Sequence, residues 1–442
     1  MSISSELTLL ANTKESIRTS INNKGGSVGA SDTFASYATA IANLPTGQSG
    51  NPLLTSIDVS DFSGTTFNKS TTYITSITIP SGVTTIANTA LQYLPITSLT
   101  IPDSVTSIGI ASIANCYSLT SLTIGTGLRT VNYTAFEHCD NLTSVYYRGS
   151  LADWCGINFG TYSFGSATLG QPLYNNANSR LYINNTAITG ELTIPNTVTT
   201  LANGCFSGYK AITSVVIPNN VTTINGQVFG GCSNLTKINV GSGVTSIGTK
   251  AFYYCTGLTA LIFNSTTPPT LADTDVLSNT NNCPIYVPAA SVEAYKAASN
   301  WSTYASRIYA IAQVATVDNT PVYNYDLGMT SSTTMITSTN MQKMPTGTSL
   351  ELAEGIIDAG GSFGNYTSIT LPSTFTSFDD QGMIGNTTTT LTCLATTPPT
   401  AERNDIGGAN LTAIYVPAAS VSDYQAASGW SNFASIIQAI SA

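Results

Sequence analysis

His138 is the single histidine of the chain, and so the only candidate histidine base. A serine nucleophile activated through it would need a carboxylate to orient the ring. Asp140 is near in sequence but sits in a variable turn, so no triad is signalled. One histidine also excludes the zinc motifs that require two. Asp273, Asp275, Asn279 and Asn281 make an oxygen-rich loop. It lacks the central glycine and closing glutamate of a calcium hand, and reads as a polar surface loop. Glu191, Glu293 and Glu351 are isolated, which leaves no carboxylate pair for glycoside hydrolysis. Gly125, Gly127, Gly241 and Gly243 have a nucleotide-loop look, yet no Gly-Lys-Ser/Thr and no helix start follow them. The expectation is therefore no catalytic residue, no metal ligand and no cofactor.

Charge narrows the function classes further. Only 14 basic and 23 acidic residues occur among 442, a net charge of −9, and charged residues make up 8%. Soluble globular proteins carry about 25%. So few cations cannot form a phosphate-neutralising stripe, which argues against nucleic-acid partners. The surface must instead be Ser, Thr, Asn and Gly. Residues 1–20 hold Glu6 and no Lys before Lys14, and their longest apolar run is Leu9-Leu10-Ala11. A secretory signal needs roughly 7–15 apolar residues, so none is expected. Nothing approaches the roughly 20 apolar residues of a spanning helix, so no membrane insertion is expected. The eight cysteines then read as cytosolic thiols.

The elements that position these residues repeat. Segments 96–118, 119–141, 212–234 and 235–257 are 23-residue copies of one pattern. Shorter or looser copies occupy 74–95 and 189–211, and a degenerate one begins near Tyr366 with Ile369, Leu371 and Pro372. Position four is Ile77, Leu99, Leu122, Leu192, Val215 and Ile238; position six is Ile79, Ile101, Ile124, Ile194, Ile217 and Val240. Apolar residues two apart with Ser or Thr between predict a strand with one buried face. Positions ten and thirteen, as in Val105 and Ile108 or Val244 and Ile247, predict a second short extended segment. Position eighteen runs Leu91, Ile113, Phe136, Phe206, Phe229 and Phe252. One coil cannot bury such groups, but stacked coils bury them as ladders.

The remaining positions follow. Position twenty-one is Leu94, Cys116, Cys139, Tyr209, Cys232 and Cys255, a buried apolar site where cysteine acts as a small hydrophobe; a disulfide between neighbouring coils is the alternative. Turn positions seven and nine hold Pro, Gly, Ser, Thr and Asn, residues that fix or free φ. Position twenty holds His138 along with Tyr93, Asn115, Gly208, Gly231 and Tyr254, so it reads as a solvent-facing turn. Strand positions three and five face outward by alternation. They present Ser98, Thr100, Ser121, Thr123, Ser214, Val216, Lys237 and Asn239, the candidate recognition surface.

The pattern L-T-S-[LV]-x-I-P-x-x-V-T-x-I-x-x-x-A-F-x-x-C resembles the BspA-type leucine-rich repeat over 74–263, and more loosely over 366–395. The resemblance implies a mainly β fold with short helices, a leucine-rich-repeat solenoid. It also implies binding rather than catalysis, on microbial surface proteins that adhere to hosts, matrix or other cells. Segment 146–188 resembles an insertion found between such repeats. It carries Tyr146, Tyr147, Trp154, Phe159, Tyr162, Phe164, Tyr174 and Tyr182. These rings suit a satellite core, or stacking on sugars and protein partners, with Trp154 as a candidate recognition residue.

A second duplication relates 266–311 to 396–440, each with TTPPT, IYVPAAS and a later Trp. Each predicts a strand, a helix starting near Pro288 or Pro417, the Trp, and a short amphipathic helix, together an α/β cap over a solenoid end. Leu7, Leu10, Ile17 and Ile21 give one helical face near the N-terminus, and Phe34, Tyr37 and Ile41 a second, with Lys24-Gly25-Gly26 between. This unit resembles a module near the N-terminus of tail and appendage proteins of gut bacteriophages. The domain reading is a helical attachment module 1–45, a linker with leading strands 46–73, the solenoid 74–263, a cap 264–311, a β-rich connector 312–365, and a degenerate repeat with a second cap 366–442. The function expected is a bacteriophage virion protein, a tail fibre or similar appendage. It would join other virion proteins or a sister copy through 1–45, and contact a host glycan or protein through the solenoid. The alternative is a bacterial cell-surface adhesin.

Overall fold

The computed structural model describes residues 17–18, 77–79, 81–160, 171–174, 176–330, 334–363, 366–378, 384–406 and 410–441. Ile17 is helical and half-buried; Leu7, Leu10, Ile21, Phe34, Tyr37, Ile41, Tyr162 and Phe164 lie outside the described residues. The chain packs as two units, Met1–Gly190 with Thr200–Ile212 and Asn225–Cys232, and Glu191–Thr199 with Thr213–Ile224 and Ser233–Ala442. Parallel-strand repeat sheets with a few short helices make up both, the architecture of a leucine-rich-repeat solenoid.

Each coil of the first unit contributes a four-residue and a two-residue strand. Ser98–Ile101, Ser121–Ile124, Ser144–Tyr147 and Arg180–Ile183 run parallel in one sheet, which Thr186–Ala187 closes as an antiparallel hairpin. Thr85–Ile86, Ser107–Ile108, Thr130–Val131 and Asn158–Phe159 form the other. Register carries like onto like: Leu99 faces Leu122, and Ile101 faces Ile124. The alternation buries Leu122 and Ile124 while their Ser and Thr neighbours remain partly exposed. Phe136, Phe206 and Phe229 are fully buried at position eighteen.

Three features of the stack are specific to close coil spacing. Threonines flanking the strands donate their hydroxyls to the matching carbonyl of the preceding coil, as Thr120 does to Thr97 at 3.0 Å, Thr236 to Thr213 at 2.9 Å and Thr245 to Thr222 at 3.2 Å. Cysteine thiols do likewise at position twenty-one: Cys116 to the Leu91 carbonyl and Cys139 to that of Ile113, both at 3.2 Å, and Cys232 to that of Phe206 at 3.1 Å. All eight cysteines are buried and free. Burial pushes the Cys155, Cys232 and Cys283 thiols up to about 12, which keeps them protonated and unreactive.

The turn glycines are the third feature, and they correct the sequence reading. Gly125, Gly127, Gly241 and Gly243 do not adopt positive φ. Their role is steric: a Cβ on Gly127 would fall 1.9 Å from the Asp103 carbonyl oxygen, and one on Gly243 would fall 1.8 Å from that of Asn219. The preceding turn also reaches across, since the Asn219 side chain accepts from the Ser242 N–H at 2.9 Å. Gly243→Ala should therefore cost about 1–3 kcal/mol through forced backbone movement. A denaturation midpoint equal to wild type would sink this account.

In the second unit, Lys237–Val240, Ala260–Phe263, Ile285–Val287 and Ile308–Ala310 are parallel neighbours. The last two come from the first duplicated module. Pro288 and Pro417 precede 3-10 turns, Ala289–Ser291 and Ala418–Ser420, which lead into the helices Val292–Ala297 and Val421–Ala426. The amphipathic helix expected after each Trp is instead a 3-10 turn, Trp301–Arg307 or Ser431–Phe433, followed by a strand, Ile308–Ala310 or Ile437–Ala439. The residues that a helix would have used go instead into a strand that pairs parallel with its predecessor. Each module so extends its sheet by two strands.

Within residues 312–365 the chain adds a coil of its own. Ser349–Leu352 pairs parallel with Ser368–Leu371, and Asp358–Ala359 with Ser377–Phe378. The Thr367 hydroxyl reaches the Thr348 carbonyl, 19 residues back, the same clasp across a shortened coil. The hairpin Gln313–Val317/Thr320–Tyr323 starts this sheet, pairing antiparallel with Ser349–Leu352. At its tip, Asp318 accepts from the Thr348 hydroxyl at 2.7 Å and the Ser349 N–H at 2.8 Å, and these donors hold its carboxyl down at about 2.

Candidate functional site: the outward faces of the long strands

The outward residues of the first unit form two rows. Ser98, Ser121, Ser144 and Arg180 are in register along one, and Thr100, Thr123, Tyr146 and Tyr182 along the other. Ser98 and Thr100 are exposed; Ser121, Thr123, Tyr146 and Tyr182 are half-buried. The Tyr146 and Tyr182 rings stack with centroids 4.6 Å apart and planes at 19°. That distance is close to the strand spacing, so the pair stands upright on adjacent strands. Beside it the Thr123 and Thr100 side chains are low, and one ring face borders a shelf of hydroxyls. A neutral, partly apolar ligand fits such a step, and Arg180 is the one cation in the two rows.

The insertion's aromatic residues divide between two fates. Trp154 is not part of any recognition surface. It sits in the helix Leu151–Cys155, started by a Ser150/Asp153 capping box, which turns it inward to zero exposure. Its indole N–H donates to the Cys205 carbonyl at 2.8 Å, and its ring meets Tyr147 edge-on at 5.5 Å and Phe159 at 5.3 Å. Trp154, Tyr147 and Phe159 are satellite core, while Tyr146 and Tyr182 face outward. Strand alternation at Tyr146-Tyr147 is the sequence signal that separates them.

The second unit's outward rows are Ser214, Lys237 and Ala260, and Val216, Asn239, Ile262, Tyr286 and Tyr309. Ser214, Val216, Lys237 and Asn239 are half-buried. Much of this face is already engaged by its own chain. The Lys237 ammonium is 2.6 Å from the Asp326 carboxylate and lies 4.8 Å over the Tyr325 ring. Tyr325 also meets Tyr286 edge-on at 5.7 Å, within a cluster that includes Ala260, Ile262, Tyr309 and Ile311. The Asn239 side-chain oxygen accepts from Asn264 at 2.6 Å. Lys237 and Asn239 are thus tied down, whereas Ser98, Thr100, Ser121 and Thr123 of the first unit keep their outward places.

His138 is exposed, with φ of 58°, and its nearest carboxylate, Glu137, is 4.0 Å away. Tyr93, Asn115, Gly208, Gly231 and Tyr254 share the left-handed conformation at the same repeat position. The position is therefore set by turn geometry. In the Asp273–Asn281 loop, Asp273 accepts from the Asp275 N–H at 2.9 Å, and Asn279 and Asn281 take left-handed turns. Among the described residues no group of three His, Cys, Asp or Glu side chains could hold a metal. Among them, too, no helix is long and apolar enough to cross a membrane.

Residues 53–169 and 178–293, more than half of the chain, match the BspA type leucine rich repeat region (6 copies). The chain belongs to the BspA-type leucine-rich repeat family. Members of this family are typically non-enzymatic binding proteins of cell surfaces, and no catalytic family is indicated. The BspA-type chain is similar to solved structures that include three bacterial proteins. One is a leucine rich cell surface protein from Faecalibacterium prausnitzii, 17% identical over 81% of this chain and 84% of that one, with a TM-score of 0.27. Another is a leucine-rich repeat protein from Eubacterium ventriosum, 16% identical over 77% and 72%, with a TM-score of 0.33. The third is the pneumococcal vaccine antigen PcpA, 13% identical over 83% and 78%, with a TM-score of 0.30. No curated protein matches the chain.

Proposed function

We propose that this BspA-type chain is a non-catalytic, surface-displayed adhesin of the bacterial kind, which holds uncharged groups of a host surface on the outward face of its first unit. The observation that carries this reading is the Tyr146–Tyr182 stack set beside rows of Ser and Thr hydroxyls. Family membership supports adhesion at a cell surface. A second reading is display on a bacteriophage particle, as a tail fibre or similar appendage. It draws on the helix–Lys24-Gly25-Gly26–helix pattern of residues 1–45. Copurification with phage particles, against recovery from a bacterial envelope, separates the two forms of display.

The binding face has a direct test. Labelled full chain is titrated onto epithelial and bacterial cells at about 0.05 and 0.3 M salt, where screening lengths differ more than twofold. Binding should change little, because the contacts are hydroxyl and aromatic. Tyr146→Ala with Tyr182→Ala should weaken it about fivefold or more, the value of roughly 1 kcal/mol of ring contact. Binding that collapses with salt, or that ignores the double substitution, rejects this face.

A further inference from the structure

The short-strand sheet of the first unit carries a groove of about 390 Å³ that is distinct from the tyrosine step. It crosses four coils, over Thr85–Ile86, Ser107–Ile108, Thr130–Val131 and Asn158–Phe159. Three strand spacings of roughly 4.8 Å give it a length of about 14 Å. Glycines let neighbouring coils approach closely along it. A Cβ on Gly109 would fall 2.4 Å from the Asn88 Oδ1, and one on Gly160 would fall 2.9 Å from the Tyr133 nitrogen.

Three asparagines line this groove, and each is oriented the same way by the protein. Asn88 accepts from the Ile110 N–H at 2.7 Å, Asn132 from the Tyr133 N–H at 2.9 Å, and Asn158 from the Asn203 amide at 3.2 Å. The carbonyl end of every side chain is committed, which leaves the NH2 end as the donor for a ligand. Thr85 and Ser107 hydroxyls, bonded to each other at 3.0 Å, and the half-buried Tyr133 complete the polar lining. No Lys, Arg, Asp or Glu lines it.

We propose that this groove binds a neutral oligosaccharide. A row of amide donors selects a ligand rich in oxygen acceptors, and the length suits a short run of sugar rings. Without a cation to offset desolvation, a sulfated or carboxylated chain loses more hydration than the amides return. A peptide would need an open apolar pocket for an anchoring side chain, whereas the apolar lining residues Ile86, Ile108 and Val131 are themselves almost fully buried.

The test uses saturation-transfer NMR and calorimetry on the full chain with chitotriose, maltotriose and cellotriose as probes, and an uncharged Ala/Ser peptide as competitor. At least one trisaccharide should bind at millimolar concentration. The triple variant Asn88→Asp, Asn132→Asp, Asn158→Asp keeps all three structural acceptors but removes the donors. It should melt as wild type and bind about tenfold more weakly or worse. Should the triple variant misfold, Asn132→Asp alone should still lower the affinity measurably. Tyr146→Ala with Tyr182→Ala should leave trisaccharide binding unchanged, which separates this site from the adhesive face. The proposal is overturned if none of the three sugars binds, if the asparagine variants bind undiminished, if the tyrosine variant is the one that loses binding, or if the peptide displaces the sugar.

Discussion

Phe229→Ala should destabilise the protein by about 3–5 kcal/mol, the range for deleting a fully buried Phe. The ring has no solvent exposure and lies parallel to Phe206, with centroids 5.7 Å apart and planes at 5°. Its removal takes away apolar burial and one partner of that stack. The cavity cannot collapse readily, because backbone hydrogen bonds between coils hold the spacing, such as Phe206 N–H to the Val228 carbonyl at 3.0 Å. In a stack stabilised through its neighbours, the loss weakens the adjoining coil interfaces as well. Urea denaturation followed by circular dichroism measures it, and Phe229→Leu should lose distinctly less. A loss below about 1 kcal/mol would contradict a packed phenylalanine ladder.

Trp301→Ala should have an effect at least as large in the second unit. Its ring is fully buried between Phe263, edge-on at 5.0 Å, and Tyr295, edge-on at 4.9 Å. Its N–H donates to the Pro269 carbonyl at 2.7 Å. Truncation removes a large side chain, worth about 3–5 kcal/mol, and orphans a buried carbonyl, worth a further 1–3 kcal/mol or so. Trp301→Phe restores most of the ring volume but not the donor, so the two variants apportion the packing and hydrogen-bond contributions. The duplicated module repeats the arrangement: the Trp430 N–H donates to the Pro399 carbonyl at 2.8 Å, and its ring meets Tyr424 edge-on at 4.9 Å. Trp430→Ala should therefore behave like Trp301→Ala. Markedly different losses at the two positions would show that the modules are not equivalent.

A repeating sequence is read correctly wherever a residue's environment is made by its counterpart one coil away. Leu99 meets Leu122, and the buried thiols of Cys116, Cys139, Cys232 and Cys255 recur at one repeat position. Translation along the stack presents the same surroundings to each copy, so residue type at a repeat position reports burial directly. The strand faces, the phenylalanine positions and the paired modules were all legible on that ground. The 19-residue coil containing Ser349–Leu352 escaped the pattern because its shortened turn breaks the spacing, although its strand still pairs in parallel register.

The rest depended on contacts at other separations. The glycines at 127 and 243 are placed by a neighbouring backbone at less than 2 Å from where a Cβ would be, which turn statistics do not encode. Lys237 occupies an outward position in its strand, but Asp326, 89 residues later, reaches it and engages its charge. Trp154 and Tyr146 are neighbours in an aromatic stretch, yet a capped five-residue helix sends one into the core, while strand alternation sends the other to the surface. The sequence alone determined the coil, its period and its buried ladders, because those arise from local alternation and nearest-neighbour stacking. Only the tertiary structure decided which outward residues stay free to meet a ligand, because that depends on where the non-repeating segments fold back against the sheets.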